Sequence, residues 1–338
     1  MLRYSEKSFL QNPPGNSHKI NAPVGEQIGL SKLQDYNRIE DQYQFSYPVV
    51  QLSKQKLVVY NYHENRKRSS EDKKVERKCD TSKKFTGEIS HRTQQKIKHI
   101  VESWTEAAKE FKKSSLCQKK TYRPTFTFVT LTLSSAQEHS DNQIKRDLLN
   151  HFLIWMQREA GVKNYIWKAE SQKNKNIHFH VLADNYIPWK LIRSKWNNIQ
   201  NKLGYIDRFE KLHGHREPNS TDIHQLKNVQ NPAAYISKYI CKNQEYRKIE
   251  GRVWSCTNCL GNIKKFEYLP DWRTWEIIRI LSNKAGIFKK KKDYCTMFAG
   301  DIITEIKKYL SYEYKNLCSY LADWWQEQYF SPPELQIT

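Results

Sequence analysis

Apolar and polar positions alternate most cleanly over residues 125–133, Thr-Phe-Thr-Phe-Val-Thr-Leu-Thr-Leu. This β-branched run predicts a strand with one buried face. Ser140-Asp141 is suited to cap a helix, whose inner face would hold Ile144, Leu148, Phe152 and Met156 and which Gly161 would end. Residues 164–169 predict a second strand ending at Glu170, and 176–182 a third, Asn-Ile-His-Phe-His-Val-Leu. The short polar turn between them predicts an antiparallel hairpin. Pro188 and Gly204 bracket a helix in which Trp189, Ile192, Trp196, Ile199 and Leu203 keep helical spacing. Residues 221–226 predict another strand, and Asn231-Pro232 opens a further helix. Upstream, Ile97, Ile100, Val101, Trp104, Ala108 and Phe111 recur every three or four residues, one apolar helical stripe.

Strands of an antiparallel sheet interleaved with helices make this an α+β fold. The patterning predicts four regions. Residues 1–82 read as a basic, largely disordered arm, with Pro13-Pro14-Gly15 and a polar run over 63–79. In that arm, Leu57-Val58-Val59-Tyr60 is a strand or an adhesive segment. Residues 83–121 form a helical extension, 122–245 the central α+β domain, and 246–338 a mostly helical accessory region. Within the last region, 271–281 and 301–329 are the predicted helices, and Lys289-Lys290-Lys291-Lys292 reads as an exposed loop.

The net charge is +21 over 338 residues, with a pI near 9.5. That excess is the footprint of a polyanion binder, chiefly nucleic acid. Twenty tyrosines and ten tryptophans supply rings for a core and for stacking on unpaired bases. Seven cysteines without framework spacing read as reduced, and the lone Cys256-x-x-Cys259 lacks a second ligand pair for zinc. This suggests a cytoplasmic protein. No apolar run approaches a membrane span, and no glycine-rich phosphate loop is present.

On a strand, His178 and His180 project to one face while Phe179 goes to the core. Two imidazoles side by side are half of a divalent-metal site. The hairpin turn is short enough to set Glu170 opposite them as a third ligand, although Asp184 lies on the far side of the histidine strand. Downstream, Tyr235, Lys238, Tyr239 and Lys242 fall within an arc of about 100° on a helix. Ammonium groups beside a phenol favour phenolate, which suits attack on a phosphodiester. His224, one strand before that helix, reads as an ordinary polar residue.

Three ordered motifs carry a resemblance to the HUH endonuclease superfamily. Phe128-Val129-Thr130-Leu131-Thr132-Leu133 matches its F-x-T-L-T strand, and His178-Phe179-His180 its His-hydrophobic-His motif. Tyr235-Ile236-Ser237-Lys238-Tyr239-Ile240-Cys241-Lys242 matches Y-x-x-K-Y-x-x-K in full. The chain resembles the two-tyrosine rolling-circle replication initiators, in particular the A-protein initiators of isometric single-stranded DNA phages and related plasmid initiators. The resemblance implies a sheet bearing the histidines, with the tyrosine helix facing an Mg²⁺ or Mn²⁺ ion held by His178, His180 and Glu170. It further implies that Tyr235 or Tyr239 nicks single-stranded origin DNA, leaving a 5′-phosphotyrosine link, while Lys238 and Lys242 hold the phosphate or support the phenolate. Host helicase and DNA polymerase would be the partners, in a bacterial cytoplasm. A two-tyrosine HUH transposase and a non-catalytic origin-binding protein are the alternatives.

Overall fold

The computed structural model describes residues 43–65, 87–113, 125–225, 239 and 246–330. The expected Asn231-Pro232 helix start and most of the expected basic arm lie outside these residues. So do the side chain of His224, Tyr235, Lys238 and Lys242. Residues 48–61 and 75–338 belong to one compact unit, which spans the central domain. Two five-stranded antiparallel sheets and their flanking helices bear out the α+β class.

The sheet built from the central domain has the order β6-β3-β5-β4-β7. Its strands are β3 (Thr127–Thr132), β4 (Tyr165–Ser171), β5 (Ile177–Ala183), β6 (Thr221–Gln225) and β7 (Trp254–Cys256). The predicted hairpin is present: β4 and β5 pair from Tyr165 opposite Ala183 to Ser171 opposite Ile177. Its turn closes with Gln172 N–H donating to Asn176 O at 2.9 Å, and Lys175 takes a positive φ of 65° there.

Alternation sets the two faces. Val129, Leu131, Ala169, Phe179 and Val181 point one way and are fully buried. They lie under helices α3 (Asn150–Arg158) and α4 (Trp189–Asn201). Phe179 and Trp196 meet edge to face at 6.4 Å, and Phe152 and Trp196 at 5.7 Å. Each such side chain contributes roughly 1.5–3 kcal/mol on burial. Before α3, a short helix α2 (Asp141–Ile144) is capped as predicted, with Gln143 N–H donating to Ser140 Oγ at 3.2 Å. A π-helical turn (Lys145–Leu149) joins the two. Gly204 leaves α4 at φ 75° and starts α5 (Tyr205–His213).

Helix α1 (His91–Lys113) buries the whole predicted stripe. It packs against the last helix, α9 (Ser311–Phe330), through Phe111 stacked on Phe330 at 5.3 Å and on Trp325 at 6.4 Å. The helix expected over 301–329 is in fact two, α8 (Ile303–Tyr309) and α9. The break is at Leu310, whose ψ of 45° leaves the helical region while its side chain is fully buried. Burying Leu310 fixes the turn there; the apolar periodicity runs on across it and hides it.

The other sheet, of order β8-β1-β2-β10-β9, arises in the segments read as arm and as helical region. Its strands are β1 (Tyr43–Leu52), β2 (Lys56–Asn65), β8 (Phe266–Tyr268), β9 (Phe288–Lys292) and β10 (Cys295–Ala299). Leu57-Val58-Val59-Tyr60 is a strand, paired with β10 so that the fully buried Leu57 and Phe298 lie opposite each other. The lysine run is not a loop but β9, an edge strand paired with β10. Its side chains are all exposed, so hydration of the ammonium groups is kept while the backbone is satisfied by β10. A row of lysines also blunts a sheet edge against aberrant pairing. No described helix is long and apolar enough to cross a membrane.

Candidate metal centre and nucleophile

The face of the central sheet opposite Phe179 carries the chemistry. Strand register builds it in two rows. Thr132, His178 and Glu170 lie side by side on β3, β5 and β4; one step along, so do Thr130, His180 and Lys168. Among the described residues, Glu170, His178 and His180 form a cluster whose ligand atoms all lie within 4.8 Å of one another. Glu170 Oε2 is 3.4 Å from Nε2 of both histidines. The three residues singled out in the sequence are thus brought together in space.

Glu170 divides its two oxygens. Oε1 pairs with Lys168 Nζ at 2.5 Å, which leaves Oε2 turned toward the imidazoles. Lys168 is fully buried, and its ammonium also donates to the Tyr239 carbonyl at 3.1 Å. Burial alone would raise the Glu170 pKa. Hydrogen bonds from His178 and His180 and the Lys168 charge outweigh it and hold the carboxyl well below the usual range, so the ligand is ionised. Burial lowers the His180 pKa, against the hydrogen bond to Glu170, and keeps that imidazole neutral and able to ligate.

His180 is also oriented from behind. Its Nδ1 meets Thr130 Oγ1 at 3.1 Å, and its ring lies flat on Phe128 at 5.5 Å and 7°. With Nδ1–H donating to the threonine, Nε2 presents its lone pair to the cluster. His178 Nδ1 is buried without a hydrogen-bond partner among the described residues, so its tautomer is left to whatever engages Nε2. The donor set fits a divalent cation. Cis ligands of a six-coordinate ion at ~2.1 Å lie ~3.0 Å apart, close to the 3.4 Å spacing here. Two imidazoles and one carboxylate leave further positions open.

Of the four tyrosine-helix residues singled out in the sequence, Tyr239 is described, in helical conformation and half-buried. Its ring centroid is 5.8 Å from that of His180 and 5.7 Å from that of Phe128. The helix residue and the metal face are therefore in contact through a ring on one side and the Lys168–carbonyl bond on the other. Asp184, the other carboxylate near the histidine strand, faces away from the cluster. It is buried and accepts from Lys163 N–H at 3.0 Å, Asn164 N–H at 2.7 Å and the Tyr329 hydroxyl.

Two residues of the site went unread in the sequence. Lys168 and Thr130 both carried a signal, since each shares strand parity with a residue already singled out: Lys168 with Glu170, Thr130 with the F-x-T-L-T threonine Thr132. A lysine inside an apolar strand is also costly unless paired, which marks it as having a partner.

Residues 126–244 match the family model of Replication-associated protein ORF2/gene-2 protein, a phage replication initiator family. The matched segment contains β3 to β6, the metal cluster and the whole Tyr-Lys motif. No curated protein and no solved structure is similar enough to extend this comparison.

Proposed function

We propose that the chain is a rolling-circle replication initiator that nicks and rejoins single-stranded origin DNA, with residues 122–245 as the nicking and joining domain. The observation that carries this reading is the junction of Tyr239 with the metal face. Lys168 bonds both Glu170 and the Tyr239 carbonyl, so the tyrosine helix and the ligand carboxylate share one buried anchor. That is what a phenol needs if it is to meet a phosphate held over the histidines.

In the proposed reaction the Tyr239 or Tyr235 oxygen attacks a DNA phosphorus. A P–O bond to tyrosine forms, the P–O3′ bond breaks, and the phenolic proton passes to the departing 3′ oxygen. The products are a 5′-phosphotyrosine link and a 3′-OH that primes a host polymerase. The second tyrosine then attacks the regenerated origin, and the released 3′-OH closes the circle by reversing the first exchange. No nucleotide is hydrolysed, because the phosphotyrosine conserves the energy of the broken bond. Lys238 and Lys242, one helical turn apart, would favour the phenolate or hold the scissile phosphate. His178, His180 and Glu170 would hold Mn²⁺ or Mg²⁺, which supplies Lewis-acid polarisation of the phosphate.

The test is a denaturing gel. Protein and Mn²⁺ are incubated with single-stranded fragments tiling the DNA around the gene that encodes the chain. A covalent adduct is expected with one fragment, lost in Tyr235→Phe/Tyr239→Phe and in His178→Ala. Binding without any adduct across all fragments would leave an origin-binding protein and rule out the nicking enzyme.

A further inference from the structure

A second feature lies outside the family-matched segment. The sheet that contains β1 and β2, together with α1 and α9, encloses a cleft of about 570 Å³. Eight lysine and arginine side chains line it against two glutamates. Both glutamates are already engaged, Glu102 by Lys56 at 2.9 Å and Glu106 by Lys54 at 2.9 Å. Arg92, Lys96, Lys264, Lys265 and Lys290 are exposed and have no carboxylate partner among the described residues. Like charges gathered around one low-dielectric wall repel one another and focus a positive field into the cleft. The field is felt by His99 in the same wall. Burial lowers its pKa first, its bond to the Ile263 carbonyl opposes this, and Lys265 and Lys56 lower it further.

The cleft is not uniformly polar. Val58, Phe266, Met297 and Tyr320 form an apolar side, and Tyr294 stands 68% exposed at the rim. The lysines of β9 extend the basic strip along the sheet edge. Lysines that meet phosphates, alternating with rings and an apolar wall that meet base faces, are the two halves of a single-strand site. A duplex hides its base faces, and a cleft of this size takes nucleotides rather than a double helix.

We propose that this cleft, from Arg92 and Lys96 to Lys264, Lys265 and Lys290, is a second binding site for single-stranded DNA, separate from the metal centre. The proposal rests on the reading that the chain acts on single strands. It assigns to the flanking regions the task of holding the strand away from the cut.

The experiment uses the full chain and a fluorescent oligothymidylate of about 15 nucleotides, with anisotropy read across a salt series. Lys96→Glu/Lys264→Glu/Lys290→Glu is expected to weaken binding by more than tenfold. It should also flatten the log–log salt slope by about 2, at roughly 0.7 per lost phosphate contact. Adduct formation on a short nick-site oligonucleotide should persist in the same variant. Where the triple variant melts early, Lys264→Gln and Lys290→Gln singly are each expected to weaken binding two- to fivefold at an unchanged melting temperature. Equal affinity of wild type and variants would overturn the cleft assignment and leave the nicking reading standing. A loss of affinity for duplex DNA or RNA larger than the loss for oligothymidylate would overturn the single-strand assignment. Absence of oligothymidylate binding and of adduct in the wild type would sink both readings together.

Discussion

At the scale of single residues, Lys168 decides how the site is held. Its ammonium is buried beside Glu170, and removing one partner of such a pair strands the other. Lys168→Met is therefore expected to cost about 3 kcal/mol, as is Glu170→Leu. The double variant Lys168→Met/Glu170→Leu should cost clearly less than the two together, because no unpaired charge remains. Urea denaturation of the three variants measures this; strict additivity would show that the pair is not coupled. The donor set also predicts a metal preference. Imidazole nitrogens suit Mn²⁺ better than Mg²⁺, which favours oxygen ligands and keeps its waters. Mn²⁺ should therefore support adduct formation at a concentration at least about tenfold below that needed for Mg²⁺. Equal requirements would point to ligands other than the histidines. His178, His180 and Glu170 were legible in the sequence because strand parity and hairpin pairing are local rules. Lys168 was not, since its role depends on a helix carbonyl 71 residues away in sequence.

At the scale of elements, the helices α1 and α9 are tied to the histidine sheet by a buried polar joint. The Tyr329 hydroxyl donates to Asp184 and accepts from Trp104 Nε1 at 3.1 Å and Asn164 Nδ2 at 3.0 Å. Burial pushes the Asp184 carboxyl up to about 6, although the Tyr329 hydroxyl and the backbone N–H groups of 163 and 164 work against it. The folded state then holds this proton more tightly than the unfolded chain does. Its contribution to stability is fully present below about pH 4, the ordinary aspartate range, and is lost as pH rises through about 6. Wild type minus Asp184→Asn should therefore show stability falling by up to about 3 kcal/mol between pH 4 and 6 and flat above. A difference that does not vary with pH would mean the carboxyl titrates normally. Neither partner of this joint was readable beforehand. Asp184 follows the histidine strand as any polar residue would, and Tyr329 lies in a helix rich in tyrosine. The same holds for β9 and β10: a lysine run and a short apolar run become a hairpin only because β2 offers Leu57 opposite Phe298. Strands completed by partners more than 200 residues distant leave no local periodicity to find.

At the scale of the whole molecule, charge and chemistry occupy different parts of the chain. About two thirds of the excess positive charge lies outside residues 126–244, the segment that carries the metal cluster and the tyrosine motif. Capture of a polyanion and cleavage of one bond should therefore respond differently to salt. Capture releases counterions from each phosphate it neutralises, whereas the cut depends on groups buried within a few ångströms of Glu170, where screening is weak. With about five phosphate contacts to a single strand, kcat/KM for nicking should fall roughly a hundredfold between 50 and 200 mM salt. The single-turnover rate of adduct formation with DNA already bound should change by less than about threefold over the same range, since the buried pairs around Glu170 lose little to mobile ions. Quenched-flow measurement of both quantities separates them. A parallel fall would place the salt-sensitive lysines at the cut itself, among them Lys238 and Lys242, rather than on the flanking regions.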